Sequence, residues 1–513
     1  MLRRRSRSKS RGDLALWTAL FLLPLALVAG AADEELDDLM GGFEDDPSFD
    51  AFEADEANEV DSVEDDEPTH PAWHTRIPVA GWLVERSDLS GSLSLGAVYS
   101  YLDHKVPHGD VVGRSTSYGN LTRLDLDGFL QLDIDLPGSW KIRAEALGWY
   151  DFSYRIKGRG DYGGAVLDVY EWQVDTGEFY LTGPLNKNVD ITIGRKIVNW
   201  GRSDTFRVVD VINPLDNKEP GLVDIEDLRR PRTMVKLDVT SREWSAQLLV
   251  LPENRYNRSP PPGSDFYPDL SNLPPSLQAT VRSAPVDGRS DFSGLPGLAA
   301  KVDGRFSGWD FSVYGAYVDE SSRRLDFVGP VAIPTGLRNE ANRFGLLGAA
   351  GNVIRGAWLF KVEVAWLTEL RVFRFRRGVP LPSSDDKDRF DSMLGVEYYG
   401  PDNLTIALEV VNRHLLNEPT GPMTIQLTPQ SRFESALRIS RPFFRERLNL
   451  TALAVGFGER LQNGGLFRFS GDYELDDSWG LEAGILIFMG GPDQGLGAFE
   501  SNDRIYAELE YNF

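Results

Sequence analysis

From residue 91 to the C-terminus the chain alternates apolar and polar side chains with a period of two. In 123–136, Leu124, Leu126, Leu130, Leu132 and Ile134 fall on one face. Arg123, Asp125, Asp127, Gln131, Asp133 and Asp135 fall on the other. A period of two places the sets on opposite sides of an extended strand. The same pattern predicts strands near 91–102, 119–136, 139–154, 167–182, 188–196, 231–240, 243–251, 298–306, 309–318, 342–353, 357–370, 389–400, 403–413, 432–440, 446–457, 464–476, 479–489 and 503–513. That is an even number, eighteen, as in single-chain bacterial barrels. The 458–463 connection is short for its rim, which keeps sixteen strands open as an alternative.

Connections sort by parity. Those after even strands are mostly tight, as at Pro137-Gly138 and Ser307-Gly308, whereas those after odd strands are mostly long, as in 197–230 and 252–297. A sandwich has no reason for this separation. A transmembrane antiparallel β-barrel has, with short periplasmic turns on one rim and long extracellular loops on the other. Tyr99, Tyr101, Trp140, Trp172, Trp244, Trp309, Trp358, Trp366, Tyr398 and Trp479 share the apolar faces, where interface aromatics belong. In the final segment Ile505, Ala507, Leu509, Tyr511 and Phe513 alternate with polar residues. A terminal aromatic after such alternation resembles the sorting signal read by the barrel-assembly machinery, with Tyr511 and Phe513 as its carriers.

The N-terminal part differs. Residues 1–32 combine a basic stretch, an apolar run from Leu14 to Val28 and small residues near Ala31, the layout of a secretory signal peptide. Residues 33–75 carry 18 Asp or Glu and no Lys or Arg, which predicts an acidic disordered periplasmic segment. Within it Leu39, Met40 and Phe43 stand as apolar anchors for partner docking. The domain from 76 to 513 is then the all-β outer-membrane barrel. The formal charge of −24 and the lack of a basic cluster exclude nucleic acid as a partner. Without Cys there are neither disulfides nor a lipoprotein anchor.

The stretch Gly194-Arg195-Lys196-Ile197-Val198-Asn199-Trp200-Gly201-Arg202-Ser203-Asp204, continuing Asp210-Val211-Ile212-Asn213-Pro214-Leu215-Asp216, resembles a Gram-negative outer-membrane family grouped as domain of unknown function 1302. The resemblance implies a barrel working beside a periplasmic lipid-carrier-like protein and an RND-type permease, and so traffic of a lipid-like molecule. It carries no catalytic residues. Physically, the motif opens a 34-residue loop, and ordered loops of this length fold inward or serve a function. It predicts either a packed plug or a constriction built from Arg195, Lys196, Trp200, Arg202, Asp204, Arg207, Asp210, Asn213 and Asp216.

Nothing points to catalysis, a cofactor or a metal. There are five His, of which His104 and His108 read as exposed loop residues, and no nucleophile elbow or zinc-protease motif occurs. Charges on the inward faces, such as Arg123, Asp125, Asp127, Lys361 and Glu363, read as lumen residues. The expected function is a conduit for a hydrophobic or amphipathic molecule in the outer-membrane lipid; the alternative is a substrate-selective porin for small polar solutes.

Overall fold

The computed structural model describes residues 86–513 except 112, 223–227, 268–289, 293, 323, 329–335, 341, 377–382, 417–423, 427–429 and 492–498. The expected signal peptide (1–32), the expected acidic segment (33–75) and Leu39, Met40 and Phe43 lie outside the described residues. Eighteen long strands form the wall: β1 (Ser87–Ser100), β2 (Asn120–Leu136), β3 (Trp140–Asp151), β4 (Trp172–Asn186), β5 (Val189–Lys196), β6 (Arg232–Ser241), β7 (Trp244–Leu251), β8 (Gly297–Phe306) and β9 (Trp309–Asp319) make one half. The other half is β10 (Arg343–Arg355), β11 (Trp358–Arg376), β12 (Ser383–Tyr399), β13 (Thr405–Leu415), β14 (Ser431–Phe443), β15 (Leu448–Phe457), β16 (Gly465–Glu474), β17 (Trp479–Met489) and β18 (Arg504–Asn512).

Each strand pairs antiparallel with its neighbours in sequence, and β18 pairs back onto β1, from Ser92 opposite Asn512 to Ser100 opposite Arg504. The ladder therefore has no free edge, and the eighteen-strand reading replaces the sixteen-strand alternative. Tight turns need left-handed backbone, supplied by Gly138 (φ +78°) between β2 and β3 and Gly308 (φ +80°) between β8 and β9.

Burial is inverted relative to a soluble sheet protein. Trp172 is 60% and Leu394 68% exposed on the outside, whereas Glu363 and Asp391 on the inner face are fully buried. Charges inside are tolerable because they are paired. Arg413 reaches Asp391 and Glu434, each at 2.9 Å, and Arg432 reaches Glu434 at 2.7 Å.

Several elements depart from the sequence expectation. Strands three and four were expected to run through 152–154 and 167–171, yet the loop between them holds two short helices, α1 (Ser153–Lys157) and α2 (Gly164–Tyr170). Asp151 starts the departure by accepting the Ser153 N–H at 2.8 Å and the Leu124 N–H at 3.0 Å, which bends the chain out of the ladder. Strands β11 and β12 extend beyond 370 and 389 to Arg376 and Ser383, so the expected long 371–388 loop is largely ladder. His104 and His108 are not exposed. His104 Nε2 lies 2.6 Å from Asp265, and His108 Nδ1 accepts the Asp110 and Val111 N–H groups at 3.1 and 3.2 Å. The cause is close contact between their loop and the β7–β8 loop, where Gly109 and Gly263 meet backbone to backbone. No cluster that could hold a metal occurs among the described residues.

Candidate functional site

The loop after β5 turns into the barrel. Its Val198, Trp200, Phe206, Val208, Val209, Ile212, Leu215 and Leu228 form one buried cluster with inward residues of the wall, among them Tyr314, Leu346, Met393 and Leu453. Gly348 makes room for this loop: a Cβ there would come 2.7 Å from Val209 Cγ1.

The turn Trp200-Gly201-Arg202-Ser203-Asp204 docks on strands six to eight places away around the wall. The backbone N–H groups of Arg202 and Ser203 donate to Glu363 Oε1 of β11, the latter at 2.9 Å. Glu409 of β13 accepts the Asp204 and Thr205 N–H groups at 2.9 and 3.0 Å and the Ser203 hydroxyl at 2.7 Å. Ser203 Oγ in turn accepts the Phe206 N–H at 2.8 Å, holding the turn closed. Gly201 sits at φ +104°, a region L side chains avoid. Lys361 lies 2.5 Å from Asp204 and also contacts Glu397, so three charges share one knot. Trp200 Nε1 donates to Gln247 at 2.9 Å while its ring packs 5.3 Å from Tyr314. Arg202 reaches Asp310 at 2.8 Å. Arg413 of the wall donates to the Arg207 carbonyl at 3.1 Å.

The second half of the motif ties the neck of the loop. Asn213 Oδ1 accepts the Val198 N–H at 2.9 Å, and its amide donates to the Arg230 carbonyl at 3.0 Å and the Lys196 carbonyl at 3.3 Å. One side chain thus joins the outgoing and returning backbone. Arg207 donates to the Asp210 and Asn213 carbonyls at 2.9 and 2.8 Å, and Arg229 pairs with Asp210 at 3.2 Å. Arg195 and Lys196 stay at the wall, 2.8 Å from Glu253 and 3.5 Å from Glu178. The nine candidates therefore divide into a dock (Trp200, Arg202, Asp204), a neck (Arg207, Asp210, Asn213), a wall pair (Arg195, Lys196) and Asp216.

Asp216 lines a chamber beside the plug. The chamber, of about 290 Å³, lies between the loop and the inner face of β2 and β3, lined by Arg123, Asp125, Trp149, Lys218, Glu219 and Arg258 besides Asp216. Arg123 lies 3.1 Å from Glu219, Arg258 lies 3.0 Å from Asp216, and Lys218 stacks 4.3 Å over Trp149. Burial would raise the Asp216 carboxyl, but Lys218, Arg258 and Arg230 outweigh it and hold the group below its usual range. Lys218, Glu219 and Arg258 were missed from sequence because loops have no period to read. Glu409 had a weak signal: it is the one acid on the inner face of a strand otherwise rich in Ala and Val.

A closed barrel plugged by its own loop, with a charge-lined chamber beside the plug, is the class that the fold and site define. The chain belongs to the family described as "Protein of unknown function (DUF1302)", whose model matches residues 14–513. No curated relative matches the sequence. Among solved structures the chain is similar to Acinetobacter baumannii OccAB2, with 11% identity, TM-score 0.45, and coverage of 84% of this chain and 98% of that one. It is also similar to Pseudomonas aeruginosa OccK8 (OprE), with 9% identity, TM-score 0.46, and coverage of 84% and 98%. For Salmonella typhi OmpF, solved as a complex with daunomycin, the values are 9%, 0.38, 83% and 97%. Likeness at this level says nothing about what passes through this barrel.

Proposed function

We propose that the protein is an outer-membrane, substrate-selective porin whose lumen admits small polar solutes past an internal plug. The single observation that carries the reading is the lining of the chamber: most of its residues are charged, with Leu147, Trp149, Tyr170 and Leu228 between them, so it is not a continuous apolar surface. Hydrocarbon moving here would strip solvent from charged groups without replacing it. A polar or zwitterionic solute can exchange partners with them, as charged rings allow in other pores. This favours the porin over the lipid-like cargo that the family resemblance implies. The apolar exterior and closed ladder support insertion in a bilayer. Short turns on the rim that holds both barrel ends, and long loops on the other, support periplasmic termini and extracellular loops.

Planar-bilayer conductance of the purified chain tests this. A steady current is expected, and Lys218→Glu shifts the reversal potential toward cations. A barrel that passes neither ions nor small sugars, even after residues 199–222 are replaced by a short linker, overturns the porin reading.

A further inference from the structure

The outer surface of β1–β4 carries a recess that the lumen does not explain. Gly128 of β2 and Gly148 of β3 face each other across the ladder on the outward side. Two missing side chains leave a notch in the apolar belt. Leu93, Leu126, Tyr150, Trp172 and Val174 flank it, and the space amounts to about 610 Å³. That falls within the ~300–1,000 Å³ typical of ligand sites.

One end of the groove is cationic. Arg155, on α1, stands over the Tyr150 ring at 5.5 Å and has no carboxylate within ion-pair distance among the described residues. Arg159 lies beside it, bound through two N–H groups to Glu171 at 2.6 and 2.7 Å. That pairing leaves Arg155 as the uncompensated charge. The Tyr150 hydroxyl is buried and makes no hydrogen bond. An apolar trough ending in an unpaired guanidinium and an unused hydroxyl matches one kind of molecule: an acyl chain joined to a phosphate. Guanidinium binds phosphate through directed, charge-assisted hydrogen bonds.

We propose that this groove is a specific site for an anionic lipid of the leaflet on the rim that carries α1, with one acyl chain over Gly128 and Gly148 and its phosphate on Arg155 and Tyr150. The site is separate from the lumen chamber and shares with the porin reading only insertion in a bilayer.

The test uses the full chain in nanodiscs of phosphatidylcholine doped with phosphatidylglycerol. Native mass spectrometry reads the lipid retained on the barrel, and heat-modifiable migration on gels reads folding separately. Neither Gly128 nor Gly148 has left-handed backbone, and a Cβ on Gly128 meets Leu93 at 3.4 Å and the Gly148 carbonyl at 4.0 Å, both ordinary contacts. Gly128→Leu therefore fills the groove and leaves the ladder intact. The wild type retains phosphatidylglycerol preferentially. Arg155→Gln weakens that retention by roughly tenfold, the effect of losing one charged hydrogen bond, and Gly128→Leu abolishes it. Gly315→Leu, an outward glycine on the distant β9, changes nothing. Equal retention by wild type and both groove variants, each shown folded, overturns the site. Failure of the porin test would leave this result untouched, because conductance does not enter it.

Discussion

At the residue scale, Glu409 has the largest leverage. It is 2% exposed and takes three donors from the plug turn. Replacing it with Ala leaves those donors unpaired inside the barrel, at about 1–3 kcal/mol for each. Glu409→Ala is therefore expected to free the turn and raise the open-state lifetime in single-channel records by roughly tenfold or more. Glu409→Gln keeps one accepting oxygen and falls between. Unchanged gating in both variants would mean that the dock does not hold the plug. The sequence motif marked the loop half of this dock at Trp200, Gly201, Arg202 and Asp204. It left the wall half unmarked, because Glu363 and Glu409 lie more than 150 residues away and an acid on an inward face looks like any other lumen charge.

At the scale of elements, alternation was enough to locate every wall strand, because over most of its length each strand keeps one wet and one apolar face. It failed where the chain leaves the wall. Helices α1 and α2 are too short to show a 3.6-residue period. The plug did leave a trace in the wall. In β15 and β17, runs such as Ala452-Leu453-Ala454-Val455 and Ile485-Leu486-Ile487-Phe488 are apolar on both faces. Their inward members, Leu453, Val455, Leu486 and Phe488, are the ones buried against the loops. Strands that lose alternation thus locate the height of the plug. A second loop segment closes the other side, where Asp265 meets Arg504 at 2.9 Å and His104 at 2.6 Å. Burial would raise the Asp265 carboxyl, but Arg504 and His104 hold it below the usual 3.8. Because the folded value is depressed, its stabilisation is complete above the unfolded value and is lost as pH falls through the folded one. Amide exchange in 254–266 should accordingly stay protected at neutral pH and rise only below about pH 4, and Asp265→Asn should show the rise at every pH. Protection that persists unchanged as the pH falls through the carboxylate range would mean that Asp265 does not hold the loop.

For the whole molecule the decisive feature is the seam between the two ends of the wall. Phe513 and Gly91 exchange both backbone hydrogen bonds at 3.0 Å, next to the Ser92 and Asn512 pair. The ring of Phe513 lies 6.1 Å from Tyr511, which packs 4.9 Å from Trp479, so the last strand ends in an aromatic row on the outer face. Gly91 has to be small here: a Cβ would sit 2.4 Å from the Phe129 carbonyl and 3.0 Å from the Phe513 ring. Two roles for Phe513 are separable on this geometry. If it serves only the seam, Gly91→Val and deletion of Phe513 disturb the same contact and should slow closure to a similar, modest degree. If it is a signal read during insertion, deletion of Phe513 should lower the folded barrel in the membrane severalfold, while Gly91→Val, with the terminal strand unaltered, inserts at the normal rate and only melts earlier. Pulse-chase followed by heat-modifiable migration distinguishes the two. We expect the second pattern, because the loss of one terminal hydrogen-bonded pair, about 0.5–1.5 kcal/mol for each bond, is small against a ladder closed by eighteen strands, whereas a recognition step depends on the one residue it reads.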